Sequence, residues 1–240
     1  TALAAYLRSL DLQKDVFNVW QQLFFIYNQK QDWKKLKEVT TYSLEYFPNQ
    51  AITFLFKGMA ENHFKEYDQA LKSYGKGEKM SVENNKLRAQ FLSNIGDVLH
   101  NLTRNEESDS CFDKAIKLDP DNATVLNNYS YYLALRKTNL EKAKQMSAYA
   151  NKLQENNDSF LDTYAWILFV MGDYKAAKEW QEKALKNEGE NSATILEHYG
   201  DILSKLGDTQ KAVEYWNKAK EAGSDSTTLD KKIAAQKFID

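Results

Sequence analysis

A pattern of two helices joined by a tight turn recurs about every 34 residues along this 240-residue chain, and the period constrains the fold more than any single residue does. The clearest copy is Asp158–Asn191, and the next is Ala193–Ser226. Laid over each other, they match Leu161 with Leu196, Tyr164 with Tyr199, Leu168 with Leu203 and Gly172-Asp173 with Gly207-Asp208. Further on, Ala177 matches Ala212 and Ala184 matches Ala219. A fixed period of this length belongs to solenoids, in which one unit cannot bury its apolar face alone and stability is shared between stacked neighbours.

Extending the period upstream gives copies at 17–50, 51–88, 89–122 and 123–157, followed by 158–192 and 193–226. In the first of these, Trp20, Leu23, Phe24 and Tyr27 are spaced i, i+3, i+4, i+7, which places them on one helix face. Asp32 stands where a second helix would be N-capped, ahead of Trp33 and Leu36. Pro48 and Pro120 stop second helices. Small residues recur where the two helices must touch: Gly58, Gly96, Ser130, Ala165 and Gly200 in first helices, and Ala70, Ser108, Ala143, Ala177 and Ala212 in second helices. A large side chain there would force the pair apart. Phe24 and Leu36 replace the small pair in the first copy. The copy 123–157 needs one extra residue near Lys137-Thr138-Asn139, and Asn85–Arg88 is a four-residue insertion, either a longer helix start or a loop.

Composition excludes several function classes. Two prolines and nine glycines permit helices almost throughout. A net charge of −2 argues against a dedicated nucleic-acid binder, which shows a basic face. No apolar run approaches the roughly 20 residues that span a bilayer. Cys111 is the sole cysteine and reads as a small packed side chain. The many asparagines read as a compositional bias of the source genome. There is no Gly-rich phosphate loop, no Cys/His metal spacing and no nucleophile elbow, and His63, His100 and His198 lie in separate copies. The expectation is a non-enzymatic chain with no cofactor and no metal.

Leu92, Ile95-Gly96, Leu99, Phe112, Ala115 and Pro120, with Tyr164, Gly172-Asp173-Tyr174, Ala177 and Ala184, resemble the pattern of the tetratricopeptide repeat (TPR) family, and the likeness runs along essentially the whole chain. The segments VLNNYSYYLA, FLDTYAWILF and LEHYGDIL are further similar to repeat proteins of Bacteroidetes-type bacteria. The resemblance implies an all-α, right-handed superhelical TPR solenoid of antiparallel helix pairs over 1–240. It implies a half-repeat at 1–16, where Leu3, Tyr6, Leu7 and Leu10 form a stripe, and a C-terminal capping helix at 227–240. In that cap Leu229, Ile233 and Ala234 would cover the last repeat while Lys231, Lys232 and Gln236 face water. A chain starting mid-repeat at Thr1 is expected to have lost upstream sequence; the alternative is a lone N-terminal capping helix. The compartment is the periplasm or cell envelope if a signal sequence was removed, and the cytoplasm otherwise.

First helices of this family line the concave face, so the resemblance implies a partner groove there. The inward candidates are Asn94, Asp97, Asn101, Asn128, Tyr131, Asp162, Trp166, Phe169, Glu197 and Asp201. Phe25, Leu55 and Met59 project the same way in earlier copies. Asn94 and Asn128 hold one repeat position in successive copies, and a side-chain amide both donates to and accepts from a peptide backbone. Tyr131, Trp166 and Phe169 form an aromatic patch suited to an apolar anchor, or else to packing between adjacent first helices. Asp97, Asp162, Glu197 and Asp201 make the groove acidic and favour a partner segment with Lys or Arg. The implied function is protein or peptide binding, without nucleic acid and without membrane insertion of this segment. The alternatives are a scaffold or oligomerisation region of a bacterial envelope assembly, with convex residues such as Trp180, or the regulatory part of a longer protein.

Overall fold

The computed structural model describes residues 6, 14–187 and 189–239, and these are helical almost throughout, with no strand among them. Apart from Tyr6, the residues of the expected half-repeat stripe (Leu3, Leu7 and Leu10) lie outside the described residues. The chain forms two compact units, residues 1–120 and 121–240.

The first unit contains α1 (Phe17–Gln29), α2 (Trp33–Tyr46), α3 (Ala51–His63), α4 (Tyr67–Met80), α5 (Asn85–Asn101) and α6 (Asn105–Leu118). The second contains α7 (Ala123–Leu135), α8 (Leu140–Leu153), α9 (Asp158–Val170), α10 (Tyr174–Lys186), α11 (Ala193–Lys205), α12 (Thr209–Glu221) and α13 (Leu229–Ala235), with a short 3₁₀ turn at Gly189–Asn191. The insertion Asn85–Arg88 is helical and lengthens the start of α5.

One turn geometry joins the helices of each pair. The N–H of Asp32 donates to the carbonyl of Tyr27, and the same five-residue reach recurs from Glu66 to Glu61, Arg104 to Leu99, Thr138 to Leu133, Asp173 to Leu168 and Asp208 to Leu203. This is the Schellman closure, and it requires a left-handed residue. Gly172 and Gly207 supply it with φ of 87°, but Gln31, Lys65 and Thr103 adopt it at 54–58°. The α7–α8 turn spans four residues instead of three, with both Lys137 and Asn139 left-handed, so it accommodates the extra residue read in that copy. Asp32, Asp173 and Asp208 each accept a backbone N–H at the N-cap of a second helix. First helices are capped by Asn84, Asn122, Asn157 and Ser192. At three positions, therefore, asparagine has a mechanical cause that composition alone had assigned to the source genome.

Packing within each pair follows the small-to-large rule. A Cβ built on Gly58 would fall within 2.9 Å of three atoms of the Tyr74 ring, and one on Gly200 would fall 2.5 Å from Trp216. A Cβ on Gly96 would lie 2.7 Å from Phe112. Each glycine is a socket for the aromatic of the partner helix. In the first unit Trp20, Leu23, Phe24, Tyr27 and Leu36 pack with Phe56 and Ala60, and Tyr6 packs against them. Leu55 belongs to the neighbouring core with Tyr74 and Phe91 and is buried, so its inward projection places it in packing. Phe25 remains 46% exposed, edge-on to Phe56. In the second unit Leu196, Tyr199, Leu203, Ala212, Trp216 and Ala219 pack with Leu229 of α13; Ile233 is half-buried, and Ala234, expected to join the cover, is exposed instead.

Candidate functional site

In the first unit, three of the residues named from sequence lie on α5. Asn94 is half-buried and donates its amide to the carbonyl of Gln90, one turn back. Asp97 is half-buried and Asn101 is exposed. Burial raises the Tyr74 hydroxyl above the ordinary tyrosine range, and the charges of Asp97 and Glu61 add to it.

The other seven lie in the second unit, on α7, α9 and α11, and there the structure builds two adjoining clefts. The first, about 340 Å³, is lined by Asn127, Asn128, Tyr131, Asp162 and Thr163, with Thr194 at its edge. The second, about 300 Å³, is lined by Tyr131, Trp166, Glu197, His198, Asp201 and residues of the C-terminal segment. Tyr131 and Thr194 border both. Burial pushes the Tyr131 hydroxyl up to about 12, with Asp162 and Glu197 adding to the effect, so it stays a neutral donor. Trp166 stacks on Phe169 at 4.8 Å and on His198 at 4.2 Å, both nearly parallel. Phe169 is on the same helix and buried, and His198 is on the adjacent first helix, so part of the expected aromatic patch is packing between first helices.

Beneath the clefts the carboxylates are already engaged. Asp162 faces the Nδ1 of His198 at 3.0 Å and accepts from Gln181 Nε2, which also donates to the carbonyl of Ile195 at 2.9 Å. Burial acts to lower the His198 pKa, but Asp162, Asp201 and Glu197 outweigh it and hold it above the ordinary value. Glu197 accepts from Lys232 Nζ at 2.8 Å and from the hydroxyls of Ser224 and Ser226. Its burial works toward a higher pKa, yet Lys232 and the two serines bring it below the usual carboxylate range. Asp201 accepts from Lys232 at 2.7 Å and from Trp216 Nε1 at 2.9 Å, but its deeper burial prevails and raises its pKa.

Lys232 is thus a correction to the sequence reading. It does not face water; it is 4% exposed and lies between two buried carboxylates. Sequence reasoning also missed Gln181 and Phe238, whereas His198, an inward-facing position of the last copy, lines the second cleft. Gln181 stands between Ala177 and Ala184 on the buried stripe of α10, and Lys232 follows Leu229 by three residues. A polar residue at an apolar stripe position was the available signal in both cases.

Elsewhere, Trp180 packs against Tyr164 at 4.6 Å beneath the ammonium of Lys183, and His63 stacks on Trp33. No group of three His, Cys, Asp or Glu side chains able to hold a metal ion occurs among the described residues. No helix among them is long and apolar enough to cross a membrane.

The profile of the tetratricopeptide repeat matches residues 89–225. The chain belongs to the tetratricopeptide-repeat family. A TPR repeat-containing protein of Methanocaldococcus jannaschii is 30% identical over 128 residues, half of this chain but only 21% of that protein's length. Two solved structures share the fold. A tetratricopeptide repeat protein from Parabacteroides merdae superposes with a TM-score of 0.71 at 16% identity, over 98% of this chain and 89% of its own. A chain of the APC/C hetero-tetramer Cut9–Hcn1 gives a TM-score of 0.80 at 14% identity, over 98% of this chain and 45% of its own. The protein is therefore an all-α TPR solenoid of antiparallel helix pairs, and TPR repeats are in general non-catalytic protein–protein interaction modules.

Proposed function

We propose that this TPR protein captures a segment of a partner protein on the first helices of its repeats, and that the two clefts of residues 121–240 are the principal contact. The observation that carries this reading is their joint lining by Tyr131, Trp166, Asn128 and the buried carboxylates. Aromatic rings held rigid by stacking lose little entropy on binding and commonly dominate interface energy. Asn128 is half-buried at the first cleft, where its amide can serve a peptide backbone. Asp162, Trp166, Glu197 and Asp201 line the clefts and Phe169 supports Trp166 by stacking, while Asn94, Asp97 and Asn101 on α5 offer a separate polar surface within the first unit. A partner with Lys or Arg suits the charge, because Glu197 and Asp201 already hold one ammonium.

The test is capture of partners from extract of the source cells by the parent chain and by an Asn128→Ala/Trp166→Ala variant with unchanged helical circular dichroism. Loss of a captured protein in the variant supports the cleft reading, and equal capture refutes it. A scaffold role has one specific observation in its favour. Tyr42, Tyr46 and Phe64 are 38–44% exposed, and Tyr42 and Phe64 line an apolar cleft of about 620 Å³ with Lys37 and Glu66. Substitutions there would abolish assembly and leave cleft binding intact.

A further inference from the structure

Resting on the reading that α9 and α11 carry the recognition clefts, we infer that residues 224–239, which wall the second cleft, cover its acidic and aromatic positions as a ligand in cis, and that the partner displacing them presents a lysine followed six positions later by an aromatic residue. An end cap needs only apolar cover, and Leu229 provides it. The rest of the segment does something else. Lys232 reaches into the cleft and bonds Glu197 and Asp201, while Ser224 and Ser226 hold the other lone pairs of Glu197. The chain then reverses at Gln236, whose φ is 51°. Phe238 comes back over α11, its N–H donating to Ser204 Oγ at 2.9 Å. Its ring meets Phe169 edge-on at 5.2 Å, one repeat further back, with Lys205 4.5 Å above it.

The two anchors therefore engage the residues that the sequence marks as recognition positions: the acids Glu197 and Asp201, and the aromatic stack of Trp166 and Phe169. Between them, the side chains of Ala234, Ala235, Gln236 and Lys237 are exposed. A buried lysine is a poor choice for stability alone, since its desolvation offsets most of its attraction to the carboxylates. It does, however, set a rule for exchange. Removing Lys232 leaves two buried carboxylates uncompensated unless the incoming segment brings its own cation. A neutral or acidic segment cannot replace it, whereas a lysine-bearing one exchanges charge for charge. Phe238 is only half-buried against Phe169, whereas Lys232 is buried, so exchange begins at the aromatic site.

The probe is a fluorescently labelled synthetic peptide with the sequence of residues 224–239, added in trans to the full chain. The tethered copy competes at a high effective concentration, so the parent chain binds the peptide weakly. A Phe238→Ala chain, which keeps Lys232 and its ion pairs, is expected to bind the peptide about tenfold more tightly by fluorescence anisotropy. Peptides carrying Lys232→Gln or Phe238→Ala are expected to lose at least tenfold. Hydrogen exchange within 229–239 of the parent chain should accelerate at saturating peptide. Equal binding to both chains, or none to either, overturns the inference. The two readings fail separately. A cellular partner lost from the Asn128→Ala/Trp166→Ala variant, yet not displaced by excess peptide, removes the cis-ligand inference alone. Equal capture by that variant removes the cleft reading itself.

Discussion

Two glycines in α4, two residues apart, set the packing argument against itself. Gly75 has open space where a Cβ would stand, whereas a Cβ on Gly77 would fall within 2.9 Å of three atoms of the Phe91 ring. Both lie inside one helix, so alanine at either gains about 0.8–1.0 kcal/mol of helix propensity. At Gly75 nothing opposes that gain. At Gly77 the Phe91 ring is fully buried and cannot swing into solvent, so α4 and α5 must separate. Overpacking of that kind costs about 1–3 kcal/mol. Gly75→Ala should therefore stabilise the protein by up to ~1 kcal/mol, while Gly77→Ala should range from neutral to ~2 kcal/mol destabilising, leaving a gap of ~1–3 kcal/mol between them. Urea denaturation followed by circular dichroism measures both, with the parent m-value as a check that the transition is unchanged. Equal stabilisation by the two substitutions would mean that Phe91 does not seat against Gly77 and that the α4–α5 packing is wrong.

Thr103 is β-branched yet left-handed at φ 58° in the α5–α6 turn, where other turns carry glycine. Thr103→Gly should raise stability by roughly 0.5–1 kcal/mol in the same melts, the strain relieved being partly offset by unfolded-state entropy. His198 has a raised pKa in the fold, so the stability it contributes is complete below about pH 6.5 and declines as pH rises through the folded value. The parent should lose stability from pH 6 to 8 more steeply than His198→Gln does, and matching slopes would refute the Asp162–His198 pairing. Gln181→Met removes the buried amide that donates to both Asp162 and the Ile195 carbonyl, leaving Asp162 with His198 alone, and should cost about 1–3 kcal/mol by chemical denaturation.

Much of the fold was legible because its determinants are local. The spacing of Trp20, Leu23, Phe24 and Tyr27 names a helix face, and all four are buried on it. Gly58, Gly96 and Gly200 announce close contacts by lacking a side chain, and each meets an aromatic ring of the paired helix. Asp32, Asp173 and Asp208 cap the helices they precede. The left-handed turns at Gln31, Lys65 and Thr103 were not legible, because their residue types do not ask for that conformation. The geometry is imposed on them by the packing of the pair and the backbone bonds that close it.

The candidate site shows the same division more sharply. From sequence, Asp162, Glu197 and Asp201 are three acids on the first-helix face, and helical periodicity can say no more than that. Whether such an acid meets water or a cation depends on residues about one repeat away: Asp162 finds His198, and Glu197 finds Lys232. A carboxylate's field does not reveal in the sequence which ion closes on it, because the ions converge only after helices from different repeats have stacked. By itself the sequence determined the repeat, the helix pairs and the face that carries polar and aromatic groups. The tertiary structure alone decided that Lys232 turns inward, that Phe238 doubles back onto Phe169, and that the acidic face is already occupied from within.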